Sequence, residues 1–288
     1  MFHSLRLKLK DLALLTKFRV DVVVAMTGVF GYLFGKEGQP DWYRMTLLFF
    51  GGLLVTASAH VINQIIERHR DRKMSRTASR PLASGKMTVA EAAVYALVFS
   101  LPGLLMLYAV HPLSAFVSAV SLIIYGFLYT PMKILTRLSI YMGAVPGALP
   151  IIIGYIAATG GVDLFAVLLF VLQVVWQLPH SWSITWLWYD DYSRGGYDLM
   201  PLPGGKTRAN ALLTFLSVWL MFPVIYALYH FQYIGHWTMM FLFLLTFVFV
   251  YTARVFSKEQ TRTSARRLLL YSVFYLPVIQ ILIIVFKR

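Results

Sequence analysis

The chain has 288 residues, 59% of them hydrophobic and 13% charged, with no cysteine and a formal net charge of +14. Soluble domains run at roughly 45–50% apolar and 25% charged, so most of this chain cannot face water, and an all-α bundle in lipid, one membrane-embedded domain over residues 1–288, is expected. The absent thiols exclude disulfide frameworks and zinc-thiolate sites. The positive charge does not point to nucleic acid either, because the cations are divided among short connections instead of forming one basic surface.

Residues 1–19 carry Arg6, Lys8, Lys10, Lys17 and Arg19 and read as a retained, basic, amphipathic interfacial segment, since no small-residue cleavage site follows. Apolar runs follow near 20–36, 45–65, 89–110, 113–130, 139–158, 163–186, 209–230, 234–255 and 268–286. Their lengths predict about nine transmembrane helices. With nine spans, 22 of the 26 Lys and Arg residues fall on one side. Short loops rich in these residues stay cytoplasmic, so the N-terminus is expected inside and the C-terminus outside. The compact chain without a transit peptide points to a bacterial inner membrane.

The second helix is predicted to continue through Asn63-Gln64-Ile65-Ile66-Glu67-Arg68-His69-Arg70-Asp71. Spacing of i, i+4, i+8 places Asn63, Glu67 and Asp71 on one helical face. Ionisable groups at a membrane helix end are costly unless paired or metal-bound, and these oxygen donors suit Mg²⁺; the plainer reading pairs the acids with Arg68, Arg70 and Arg72. Cations from Arg72 to Arg80, without intervening acids, fit a polyanion. If the turn stays helical, Arg76 and Arg80 can grip phosphate oxygens, with Lys86 as a point charge. A second cluster, Asp190 and Asp191 with Asp198 further on, lies on the same side and suggests a further metal contact; a solvated turn is the alternative.

In the sixth helix Gln173, Gln177 and His180 form a polar stripe, and Trp176, Trp182, Trp186 and Trp188 supply aromatic surface for a flat substrate or an isoprenoid carbocation. His180 reads equally as haem contact, general base or helix-packing hydrogen bond, and His60 faces a similar choice.

These residues resemble the UbiA superfamily of intramembrane prenyltransferases over nearly the whole chain. Asn63-x-x-x-Glu67-x-x-x-Asp71 resembles its first acidic motif. Met74-x-Arg76-Thr77-x-x-Arg80-Pro81-Leu82, Gly143-Ala144-x-Pro146-Gly147, Trp176-Gln177-x-Pro179-His180 and Asp190-Asp191-Tyr192 are similar to its haem-farnesylating branch. The first motif more often has Asp where Glu67 stands, a swap that keeps the charge.

The resemblance implies transfer of a farnesyl group from farnesyl diphosphate to the 2-vinyl group of haem B, giving haem O. It further implies Mg²⁺ on Asn63, Glu67 and Asp71 with Asp190 or Asp191, diphosphate on Arg76, Arg80, Lys86 and Lys133, and haem near His180, Gln177 and Trp176. Implied partners are the bilayer and a downstream haem O-modifying enzyme. A related prenyltransferase for an aromatic acid or quinone precursor, a cation-coupled transporter and a non-catalytic haem-binding protein are the alternatives. A transporter accounts poorly for so many cations beside the acids.

Overall fold

The computed structural model describes residues 10–287, so Arg6 and Lys8 of the basic segment lie outside the described residues, while residues 10–16 are helical. Nine helices among the described residues are long and apolar enough to cross a membrane. They are α1 (Phe18–Gly35), α2 (Trp42–Asp71), α3 (Val89–Val110), α4 (Pro112–Leu135), α5 (Ser139–Thr159), α6 (Leu164–Leu187), α8 (Arg208–His230), α9 (His236–Glu259) and α10 (Arg262–Phe286). A short helix, α7 (Tyr189–Arg194), follows α6. Their number and order match the predicted runs.

Helix ends follow local chemistry. Asp41 accepts the Tyr43 and Arg44 backbone N–H groups and starts α2. Thr88 and Glu91 form a reciprocal capping box at α3, and Asp163 caps α6. Each side chain satisfies donors that the first turn leaves free.

α1 packs along α5 and α2, α3 packs on α2, and α6 joins α5 to the C-terminal helices. A Cβ on Gly154 would run into the Gly28 carbonyl, and one on Gly31 would meet the Ile151 backbone, so α1 and α5 approach closely only because these positions are glycine. The larger core gathers Trp186, Phe249, Phe256 and Tyr275 from α6, α9 and α10. A smaller one holds Tyr32, Leu48, Val55 and Leu107 near α1, α2 and α3.

Within α4, residues Ile124–Tyr129 form a π-helical stretch. Pro131, the second residue after it, has no N–H to donate. The Thr130 hydroxyl donates to the Tyr125 carbonyl at 2.8 Å and completes the local bonding. Residues 72–86 are turns, not helix. Arg76 and Arg80 therefore do not share a helical face, contrary to the expectation from their spacing.

Candidate active site

The stripe forms as its spacing requires: Asn63, Glu67 and Asp71 are all buried on α2. Each has a polar partner drawn from another segment or from the following loop. The Lys17 ammonium donates to Asn63 Oδ1 at 3.3 Å, and the Asn63 amide donates to the Thr130 hydroxyl at 3.1 Å. Lys133 of α4 forms an ion pair with Glu67. Arg80 reaches Asp71 Oδ2 at 2.8 Å, while Asp71 Oδ1 is buried with no hydrogen-bond partner. Two carboxylates and an amide thus sit within a ring of three cations.

Burial first, and then the positive charges of Arg80 and Lys133, pull the Lys17 pKa down to about 7 against the opposing pull of Glu67 and Asp71. The Tyr197 hydroxyl is buried without a partner, and burial beside Glu67 raises its pKa. Its ring and that of Tyr129 flank the Lys133 ammonium, at 5.7 and 5.0 Å from their centroids. Lys133 is therefore held by a carboxylate and two π faces.

The second acidic cluster is arranged differently from the sequence expectation. Asp191 accepts from the Ser75 and Arg76 backbone N–H groups at 3.0 and 3.1 Å and from the Ser75 hydroxyl, and it pairs with Arg194. Burial pushes its pKa up, but these hydrogen bonds prevail and bring it down to about 2. Both oxygens are engaged in clasping the loop after α2 to α7. Asp190 is 80% exposed and lies 3.8 Å from Lys206, while Asp198 pairs with Arg137 at 2.7 Å. The three acids diverge.

Two cations are also placed elsewhere. Lys86 is 60% exposed and faces Asp11 at 3.8 Å, not the stripe. Arg76 donates to the Tyr192 hydroxyl at 3.0 Å and lies over the Trp188 and Tyr192 rings. Arg80 and Lys133 are brought to the acids. Lys17, which the sequence presented only as part of a basic segment, joins them.

Beyond the stripe lies a mostly apolar cavity of about 790 Å³ between α1, α2, α4, α5, α6 and α10, with Tyr129 in its wall. It is within the range of sites that enclose organic ligands. Trp176, Gln177 and His180 all line it. His180 Nδ1 meets the Ser272 hydroxyl at 2.8 Å, and its ring stacks on Trp176 with centroids 4.7 Å apart. Gln177 donates to the Ala144 carbonyl at 3.1 Å. The Gly147 position leaves room for the Gln177 amide, which a Cβ there would strike.

Among the described residues, no three His, Cys, Asp or Glu side chains group to hold a metal unaided. The stripe nevertheless fits a hard cation shared with a ligand: its donors are oxygens, and Asp71 Oδ1 has no partner.

An acidic, cation-ringed helix end beside an apolar cavity defines a membrane-embedded enzyme for an anionic, largely apolar substrate. The sequence profile of the UbiA prenyltransferase family matches residues 24–275. A protoheme IX farnesyltransferase of Cytophaga hutchinsonii is 36% identical over 274 residues, spanning 95% of this chain and 96% of that protein. A solved structure of digeranylgeranylglyceryl phosphate synthase shares the fold with a TM-score of 0.77 at 20% identity, covering 96% of this chain and 98% of that one. A UbiA homolog from Archaeoglobus fulgidus bound to GPP and Mg²⁺ matches with a TM-score of 0.59 at 15% identity, covering 96% and 97%. The chain belongs to the UbiA prenyltransferase family and is a multi-pass membrane prenyltransferase.

Proposed function

We propose that the protein transfers the farnesyl group of farnesyl diphosphate to the 2-vinyl group of haem B, giving haem O, with Mg²⁺ on Asn63, Glu67 and Asp71. What carries this reading is the cation-ringed stripe standing beside the cavity, with Tyr129 both in the cavity wall and under Lys133. The name borne by the Cytophaga relative supports the acceptor, and the Archaeoglobus homolog's GPP and Mg²⁺ support the donor and metal.

Asn63 Oδ1, Glu67 and the free Asp71 Oδ1 would hold the metal, which supplies Lewis-acid neutralisation of the diphosphate. Arg80 and Lys133 stabilise the same charge as the allylic carbon–oxygen bond breaks. The apolar cavity walls keep water from the allylic cation until the vinyl carbon attacks it. Water then adds to the cation formed on the former vinyl group and loses a proton, leaving the hydroxyl. Trp176, Gln177 and His180 position the acceptor from α6. Donor and metal enter from the cytoplasmic face of a bacterial inner membrane, and haem O passes to an enzyme that modifies it further.

The test is farnesyl transfer by the purified protein with haem B, with and without Mg²⁺, in the wild type and in Asp71→Asn. Haem O should form only with Mg²⁺, and Asp71→Asn should lose that turnover while remaining folded. Absence of haem O with prenylation of an aromatic acid would overturn the acceptor. Undiminished activity in Asp71→Asn would overturn the metal assignment.

A further inference from the structure

On the cavity wall, about one helical turn before Asn63, the structure holds a second ionisable pair that the chemistry above does not use. His60 of α2 and Asp21 of α1 are 6% and 0% exposed, and His60 Nδ1 lies 2.6 Å from Asp21 Oδ1. Asp21 Oδ2 is buried with no hydrogen-bond partner. A tie between two helices needs no ionisable groups, and a buried pair of this kind is weak evidence for stability. Intramembrane ionisable residues more often mark function.

Three observations indicate what the pair does. His60 lines the 790 Å³ cavity. Its Nδ1 is taken by the carboxylate, so Nε2 is the nitrogen available to a ligand. Tyr125 meets the imidazole edge-to-face at 5.5 Å, and Tyr125 belongs to the π-helical stretch of α4, a distortion that recurs at functional sites. An imidazole fixed through Nδ1 by a carboxylate, with Nε2 left for a cavity, is the arrangement by which proteins present histidine to a metal. The cavity that His60 lines also has Val24, Val55, Ala59 and Leu122 in its walls, apolar surface that suits a flat macrocycle.

We propose that His60 is the axial ligand of the acceptor's iron, with Asp21 as its positioning residue. This rests on haem B being the acceptor. His60 precedes Asn63 by three residues, roughly 4.5 Å along the helix. An iron held there would lie about one helical turn from the stripe end of the cavity. Asp21 accepts the Nδ1 proton, fixes the tautomer that leaves the Nε2 lone pair free, and strengthens the imidazole as a ligand.

The experiment adds haem B to the purified full-length protein in lipid nanodiscs and records absorption, EPR and resonance Raman spectra. Wild type should show histidine-ligated iron. His60→Ala should still bind haem but lose that signature, and added imidazole should restore it. Asp21→Asn should keep the ligand, lower the iron–histidine stretching frequency and raise the haem reduction potential. His180→Ala should retain the signature. Haem binding with an unchanged signature in His60→Ala, or its loss in His180→Ala instead, overturns the ligation and leaves the proposed reaction standing. Failure of wild type to bind haem B overturns both.

Discussion

The two oxygens of Asp191 both point at the loop after α2, and Ser75, the Arg76 backbone and Arg194 meet them. With its pKa brought from 3.8 to about 2, this carboxyl contributes stability that is complete above its unfolded value and fades as pH falls through about 2. A spin label at Ser79→Cys, in a chain with no other thiol, should therefore remain immobile from pH 8 down to about 4. Asp191→Asn should free it across that range, and a label already mobile at pH 5 in the wild type would contradict the clasp. This role was not legible in sequence. The direction of a carboxylate in so short a helix depends on contacts more than a hundred residues away, and adjacent acids at 190 and 191 look equivalent until the fold separates them. Asn63, Glu67 and Asp71 were legible because a helix fixes their relative direction by spacing alone. Lys17 escaped notice because a basic terminal segment gives no sign that one of its ammonium groups turns inward.

At the scale of helices, the stripe depends on how α4 and α1 approach it. The Thr130 hydroxyl donates to the Tyr125 carbonyl and accepts from the Asn63 amide, so the end of the π-helical stretch orients the proposed metal donor. Thr130→Val keeps the shape and removes both bonds. Loss of such an outer-shell partner typically weakens metal binding by roughly 10–100-fold, so the Mg²⁺ concentration for half-maximal turnover should rise by about that factor; an unchanged value would detach Thr130 from the site. The α1–α5 crossing is set by the space at Gly31 and Gly154. Gly154→Ala forces its methyl into the Gly28 carbonyl and should cost about 1–3 kcal/mol, read as earlier thermal unfolding in detergent, while Gly161→Ala, with open space around it, should be neutral. The nine spans were legible because lipid imposes length and apolarity on each. The π-helical register was not, since Pro131 signals a broken bond without showing how the helix repairs it.

Across the whole molecule, the acids, Arg80, Lys133 and the loops that clasp them all lie at the ends of α2, α4 and α6 that face one side. We propose that this side faces the cytoplasm, because 22 of the 26 cations fall there if the N-terminus is inside. Under the proposed function a charged diphosphate and Mg²⁺ would then reach the site directly from the aqueous compartment, while apolar substrate parts would occupy the cavity between helices. A cysteine-free chain allows a direct measurement. Ser79→Cys lies in the loop after α2, and Val162→Cys lies in the exposed turn between α5 and α6, on the opposite side. In right-side-out vesicles a membrane-impermeant maleimide should label Val162→Cys at once and Ser79→Cys only after permeabilisation. The reverse pattern would place the stripe outside and leave the many loop cations unexplained by the positive-inside rule. Equal labelling of both sites in intact vesicles would mean a mixed orientation, contrary to an imbalance of this size.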